Sequence, residues 1–227
     1  MPWRLEREAA KLGERIEMGD PLWPAQLSLA TVIVLNLFLS KRLTIGPNWL
    51  MPGVAGGALL VLLVVAPRRA TQHATRRRRF ALAVISLVSL TNVVSLVLLV
   101  HYLVNGGKSG GHALILSGLV LWASNVLLFA VWFWELDRGG PVNRFQHPET
   151  LPDFQFPQME NPHLAPKPWR PGFIDYLYTS LTNAMAFSPT DTMPLTPTAK
   201  VVMGVQEVAA ITTIGLVVAR AVNILAS

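Results

Sequence analysis

"FSPTDTMPLTPTAK", Phe187 to Lys200, is a polar stretch with three prolines set between two apolar segments of a greasy chain. Pro189, Pro194 and Pro197 stand too close together for a helix to pass through them, because each lacks an amide donor and crowds the preceding turn. Before the stretch comes "GFIDYLYTSLTNAMAF", residues 172–187, one spanning length at most. Its Asp175, Thr179, Ser180, Thr182 and Asn183 suit a helix half buried in protein better than one facing lipid. After it, "AKVVMGVQEVAAITTIGLVVARAVNILAS" provides a full-length final span. Short helix, non-helical strand, full helix is the order of a re-entrant loop, and such backbone is tolerated at membrane depth only inside protein or along a wet cavity.

Composition fits that setting. Of 227 residues, 52% are hydrophobic and 14% charged, which is too apolar for an ordinary soluble domain and indicates an all-α, polytopic membrane protein. There is no cysteine, so disulfides, thiolate catalysis and Cys-based metal sites are excluded. The net charge of +6 comes from basic residues beside apolar spans rather than among exposed aromatics, which argues for orientation in a bilayer and against nucleic acid.

Four units follow along the chain. Residues 1–22 mix Glu6, Glu8, Glu14 and Glu17 with four basic residues and place Leu5, Ala9, Leu12 and Ile16 at helical spacing, the pattern of an amphipathic interfacial helix rather than a signal peptide. Residues 23–136 hold four expected transmembrane helices, at about 23–39, 50–66, 80–104 and 113–136, with Trp23, Trp49, Trp132 and Trp134 near their ends. Between the second and third stands "PRRATQHATRRRRF", whose Arg68, Arg69, Arg76, Arg77, Arg78 and Arg79 form the strongest orientation anchor, expected in a cytoplasmic loop. Residues 137–172 carry eight of the 17 prolines and read as an extended linker without a core of its own. Residues 173–227 make up the loop module and the final span. In all, about five full transmembrane helices plus a re-entrant helix are expected, or six full spans.

From about Tyr178 to Val217, a fifth of the chain, the module resembles the pore domain of the tetrameric potassium-channel superfamily. Ser180, Thr182 and Ala184 fall where those channels carry the second half of the pore helix, and Ser188-Pro189-Thr190-Asp191 where they carry the end of the filter. Asp191, Pro194, Thr196 and Lys200 match the family's post-filter acid, proline, threonine and basic residue. The resemblance implies a passive ion channel and a homo-oligomer, a tetramer by that analogy. The filter glycines are missing, and Pro189 fixes its own dihedral, so a file of ion-coordinating carbonyls and potassium selectivity are not expected. A constriction of Ser188, Pro189, Thr190 and Asp191 would favour weakly selected inorganic cations. The C-terminal half also resembles a widespread family of uncharacterised bacterial inner-membrane proteins through Tyr176 to Ser180, Thr190-Asp191, Lys200 and Ala221 to Ile224. That second resemblance implies a multi-pass protein of the bacterial inner (plasma) membrane.

Topology tests the analogy. With the arginine loop inside, four spans return the chain to the cytoplasm at Asp137, so a loop dipping from the outer face has the wrong parity. Three arrangements remain: the loop enters from the cytoplasmic side, an early hairpin fails to cross, or residues 173–187 cross completely. The last makes Ser188 to Thr198 an external turn in a non-conducting six-span protein with a scaffold or interaction role.

Gln206 and Glu207, about two turns into the final span, are candidate pathway residues with Thr212, because an intramembrane carboxylate usually faces a bundle interior or wet cavity. Glu135 and Asp137 are expected to pair locally with Arg138. "NGGKSGGH", residues 105–112, lacks the context of a phosphate loop, and His101, His112, His147 and His163 form no ligand set. No catalytic residue, metal or cofactor is expected.

Overall fold

The computed structural model describes residues 21–39, 43, 47, 49–65, 74–105, 111–164, 169–185 and 191–225. Among them are eight α-helices and one two-stranded sheet, so the protein is all-α in character. The expected 1–22 helix and Arg68 and Arg69 lie outside the described residues, apart from Pro21 and Leu22. The major helices are α1 (Trp23–Leu37), α2 (Leu50–Val65), α3 (Ala74–Val104), α4 (Gly111–Leu136), α7 (Phe173–Met185) and α8 (Pro197–Leu225). The short α5 (Pro141–Gln146), α6 (Pro157–Glu160), β1 (Phe154–Gln155) and β2 (Met193–Pro194) fall between or beside them.

Three helices, α3, α4 and α8, are long and apolar enough to cross a membrane. The helical parts of α1 and α2 have 15 and 16 residues, about 22 and 24 Å at 1.5 Å per residue, and are short of a ~30 Å hydrocarbon core. Pro24 starts α1 in the first turn, where its missing amide is harmless.

Helix α4 lies at the centre, packed against α1, α3, α7 and α8. Helix α3 runs antiparallel to it: Arg78 at its start reaches Glu135 at the end of α4, and Leu99 near its end joins Leu114 and Leu121. Helix α1 also runs antiparallel to α4, with Ala25 and Leu29 in the cluster containing Phe133 and Trp134, and Leu39 just past its end in the cluster around Leu114.

The direction of α7 decides between the arrangements left open by the sequence. Phe173 packs edge-on against Trp134 with centroids 6.0 Å apart, and about two turns later Ser180 donates to the Val126 carbonyl, so α7 also runs antiparallel to α4. Helix α8 does the same, since Ala199 and Met203 lie in the cluster of residues 128–134, the Asn125 amide meets the Gln206 carbonyl, and Val217 packs on Gly118. An added Cβ at Gly118 would run into Val217, so close helix approach there requires glycine. Two consecutive helices therefore leave the same end of the bundle in the same direction. The 13 residues of α7 rise about 20 Å, half the length of α4, and the chain returns before starting α8. At about 20 Å α7 is short of a ~30 Å hydrocarbon core, and its direction is not that of a helix crossing completely before α8.

The described residues of the stretch 137–172, namely 137–164 and 169–172, do not form the coreless extended segment expected from its prolines. They fold into a cap at the end of the bundle where α7 and α8 begin. Phe154 and Phe156 are buried, with ring centroids 6.3 and 5.3 Å from that of Tyr176. Strand β1 pairs antiparallel with β2, Phe154 opposite Pro194. Prolines cost no ladder bond at such a short edge and start α5 and α6 where their missing amides are harmless. Gly139 and Gly140, at φ +78 and +97, turn the chain out of α4, and alternating aromatics supply the core that the proline count conceals.

The arginine run is also not simply a loop. Arg76 to Arg79 belong to the first turns of α3, and Arg77 is 9% exposed. Arginine is a good helix former, and the buried Glu135 at the end of α4 lies beside Arg77 and Arg78.

Candidate functional site

The half-helix α7 is fixed by two sets of polar bonds, one along its length and one at its start. Along its length, the inward face carries Thr179, Ser180 and Asn183, all buried. They meet Gln206 of α8, whose side chain is 0% exposed. Gln206 Nε2 donates to the Ser180 carbonyl at 2.9 Å and to Ser180 Oγ at 2.7 Å, while its Oε1 accepts from Asn183 Nδ2 at 2.9 Å. Asn183 Nδ2 also reaches the Met203 carbonyl, and Ser180 Oγ donates to Val126 on α4 at 2.7 Å. A primary amide can both donate and accept, so one Gln side chain satisfies two partners that hydrocarbon would leave bare.

At the start of α7, Tyr176 donates to Asp137 Oδ2 at 2.5 Å. Asp137 is fully buried; its Oδ1 accepts from the Asp153 amide at 2.8 Å, and Arg144 Nη1 lies 3.7 Å from Oδ2. Arg144 donates to the Trp134 and Asp137 carbonyls, filling the negative end of α4, and its guanidinium sits 5.1 Å from the Tyr176 ring centroid. Asp153 receives the Arg138 amide at 2.8 Å and the Thr196 hydroxyl at 2.7 Å, so the residue before α8 is tied to the same cap as α7. Glu135, 2% exposed, lies among Arg77, Arg78 and Arg144 and accepts from Arg78 through its backbone carbonyl. Local pairing of both acids with the Arg138 side chain is therefore corrected: Arg144, seven residues on, pairs with Asp137, Glu135 lies among Arg77, Arg78 and Arg144, and Arg138 contributes its amide at φ +52.

The expected site residues separate. Ser188, Pro189 and Thr190 lie outside the described residues. Asp191 is exposed, beside Thr192, whose hydroxyl sits 3.1 Å from Thr179 Oγ1, about 9 Å into α7. Gln206 belongs to the buried knot. Glu207, next to it, is half-buried on a different face and has no hydrogen bond or ion pair among the described residues. Thr212 donates to Val208 on its own helix at 2.7 Å, five residues and about 140° round from Glu207. The structure thus joins Gln206 to Ser180 and Asn183 and brings neither Glu207 nor Thr212 to them. Arg78 binds the Glu135 carbonyl, Arg77 is buried and Arg79 is exposed; for Arg76 only its place in α3 is described.

Asp137, Arg144, Asp153 and Tyr176 were the residues hardest to find beforehand. The signal was "WELDRGGPVNR": two acids at the C-terminal end of a span oppose its dipole and call for buried cations nearby.

Chemically, α7 brings its carbonyl end to the depth of Met203 to Gln206, and that end carries a partial negative charge. Half-helix C-termini at membrane depth suit cations. Among the described residues no three His, Asp or Glu side chains converge as a metal set. Comparison with protein-family models, with curated proteins and with solved structures finds no match.

Proposed function

We propose that this chain is a multi-pass protein of the bacterial inner membrane that conducts inorganic cations passively as a homo-oligomer, without potassium selectivity. The observation that carries this reading is the half-helix: α7 ends part-way along α4 and α8, and the following helix leaves from the same end of the bundle. Such a segment is of no use for simple anchoring, and its carbonyl end favours a cation. One half-helix cannot enclose a path, hence the oligomer. The arginine-bearing end, with the cap, faces the cytoplasm, so the loop enters from inside and the parity conflict with an outer-face loop disappears. The exposed Asp191 concentrates cations at the mouth of the path; the expected constriction residues Ser188, Pro189 and Thr190 lie outside the described residues.

The test is flux from liposomes containing purified protein in potassium, sodium and chloride gradients, comparing wild type with Asp191→Ala. Cation flux exceeding chloride flux, and lowered about two- to tenfold in Asp191→Ala, supports conduction. A second reading, a non-conducting membrane scaffold, is favoured by the inward polar side chains of α7, which find their partners within one chain. No wild-type flux in any gradient selects it.

A further inference from the structure

Between α1, α2 and α3 lies a cavity of about 220 Å³, with Ile33 and Asn36 of α1, Pro52 and Ala55 of α2, and Leu87 and Val94 of α3 on its wall. It opens beside Leu90, which also lines it and is 60% exposed on the outside of the bundle. Two polar side chains of the wall are engaged on their own helices. Asn36 Nδ2 donates to the Val32 carbonyl at 2.9 Å, and Thr91 Oγ1 donates to the Val88 carbonyl at 2.7 Å. A buried water needs two to four polar partners, and this wall offers few, whereas a hydrocarbon chain needs none. The space is several times the ~30 Å³ share of one water, enough for a run of methylenes.

The outer face of α3 joins this cavity to a positive charge. Of its described arginines, Arg77 is buried and Arg78 donates to the Glu135 carbonyl, while Arg79 is exposed. Arg79, Ala83, Ser86 and Leu90 are all exposed. The eleven residues from Arg79 to Leu90 make three turns and about 20°, so the four share one face. Ala83 and Ser86 are small and leave a shallow track from the arginine to the cavity mouth. Along the axis that track is about 16 Å long, close to half of a ~30 Å hydrocarbon core. Acyl chains of the leaflet at the arginine end therefore reach the depth of the cavity. Charge selects the head, since a phosphodiester of net negative charge complements Arg79 and a zwitterionic head does so less well.

We propose that Arg79, the outer face of α3 and the cavity between α1, α2 and α3 form a binding site for one anionic phospholipid of the surrounding bilayer. Its phosphate lies on Arg79, and one acyl chain runs over Ala83 and Ser86 and ends in the cavity beside Leu90. The site is independent of the conduction reading, because it uses neither α7 nor α8. A chain end seated there supplies the van der Waals contacts that the side chains around the cavity lack.

The test uses the full-length protein in mild detergent, given equal amounts of phosphatidylglycerol and phosphatidylethanolamine and weighed by native mass spectrometry. Wild type is expected to keep one phosphatidylglycerol per chain, about fivefold in preference to phosphatidylethanolamine. Arg79→Gln should bring that preference close to one, whereas Lys200→Gln, which removes an exposed charge at the same end of the bundle, should leave it. Val94→Phe, which fills the cavity, should lower the retained lipid at least about tenfold. Val97→Phe, on the same helix at a 59% exposed position outside the wall, should not. Equal retention of the two lipids by wild type, or an equal loss of preference in Lys200→Gln and Arg79→Gln, overturns the headgroup site. Retention unchanged by Val94→Phe, or lowered as much by Val97→Phe, overturns the acyl seat. Wild type bare of lipid overturns both, and lipid-free oligomers that come apart in Val94→Phe give the groove to a second copy instead. Should Val94→Phe fail to fold, Arg79→Gln, exposed and outside the core, still decides.

Discussion

The two halves of the bundle differ in their amide side chains, although Thr179, Thr182, Thr212 and Thr213 of the second half bond back to their own helices as the polar residues of the first do. In α1 and α3, Ser28, Thr31, Asn36 and Thr91 bond back to carbonyls three or four residues earlier in their own helices. In α4, α7 and α8, Asn125, Ser180, Asn183 and Gln206 bond across from helix to helix. A bond to one's own helix satisfies a polar group in hydrocarbon without saying where the neighbour is, whereas a cross-helix bond sets depth and rotation. The first half is accordingly held by apolar packing and encloses a cavity of about 220 Å³ lined by Ile33, Asn36, Ala55, Val88 and Thr91. Trp132, donating to Ser89 at 3.0 Å, is a cross-helix bond between the halves. The lesson is that position matters most where the half-helix is held.

Three substitutions would break or sharpen this contrast. The largest effect is expected from Asp137→Ala, which leaves Arg144 buried without its counter-charge and frees Tyr176 and the Asp153 amide; a loss of about 3–5 kcal/mol should appear as a collapse of the melting temperature in detergent. A shift of a degree or two would mean that the cap is not what fixes α7. Next comes Gln206→Leu, similar in volume but without hydrogen-bonding groups. It should destabilise by about 1–3 kcal/mol in denaturant titration and raise proteolysis near residues 186–190, because Ser180 and Asn183 lose their shared partner. The smallest is Asn36→Leu, whose amide serves only its own helix in the bond to Val32; less than about 0.5–1 kcal/mol is expected, of either sign. If Asn36→Leu matched Gln206→Leu, the division between the halves would fail.

How far the sequence foretold this follows the same division. Periodicity and length made the long helices legible, and three close prolines announced the break after α7. The polar character of α7 was visible, and so was its burial, since Thr179, Ser180 and Asn183 recur on one helical face with Phe173 and Tyr176. What could not be read was direction: apolar patterning is the same whichever way a helix runs, and only the contacts of Phe173, Ser180 and Gln206 fix it. The cap was hidden for another reason. Its core consists of single aromatics, Phe154, Phe156 and Trp169, spaced among prolines, and its counter-ions come from elements far apart in the chain. Gln206 and Glu207 show the limit most sharply, since neighbours in sequence have become a buried structural knot and a carboxylate with no partner among the described residues.

The antiparallel pairing of β1 with β2 has a temporal side. Asp153 leaves the ribosome 43 residues ahead of Thr196, which at about 5–20 residues per second is a wait of roughly 2–9 s. Over that interval Ser180 and Asn183 have no Gln206 to bind, and the strand that closes the cap has not been made. The knot on Gln206 therefore closes late in synthesis, after α8 has emerged, and a chain stalled before Pro197 would hold α7 only through Phe173, Tyr176 and Ser180.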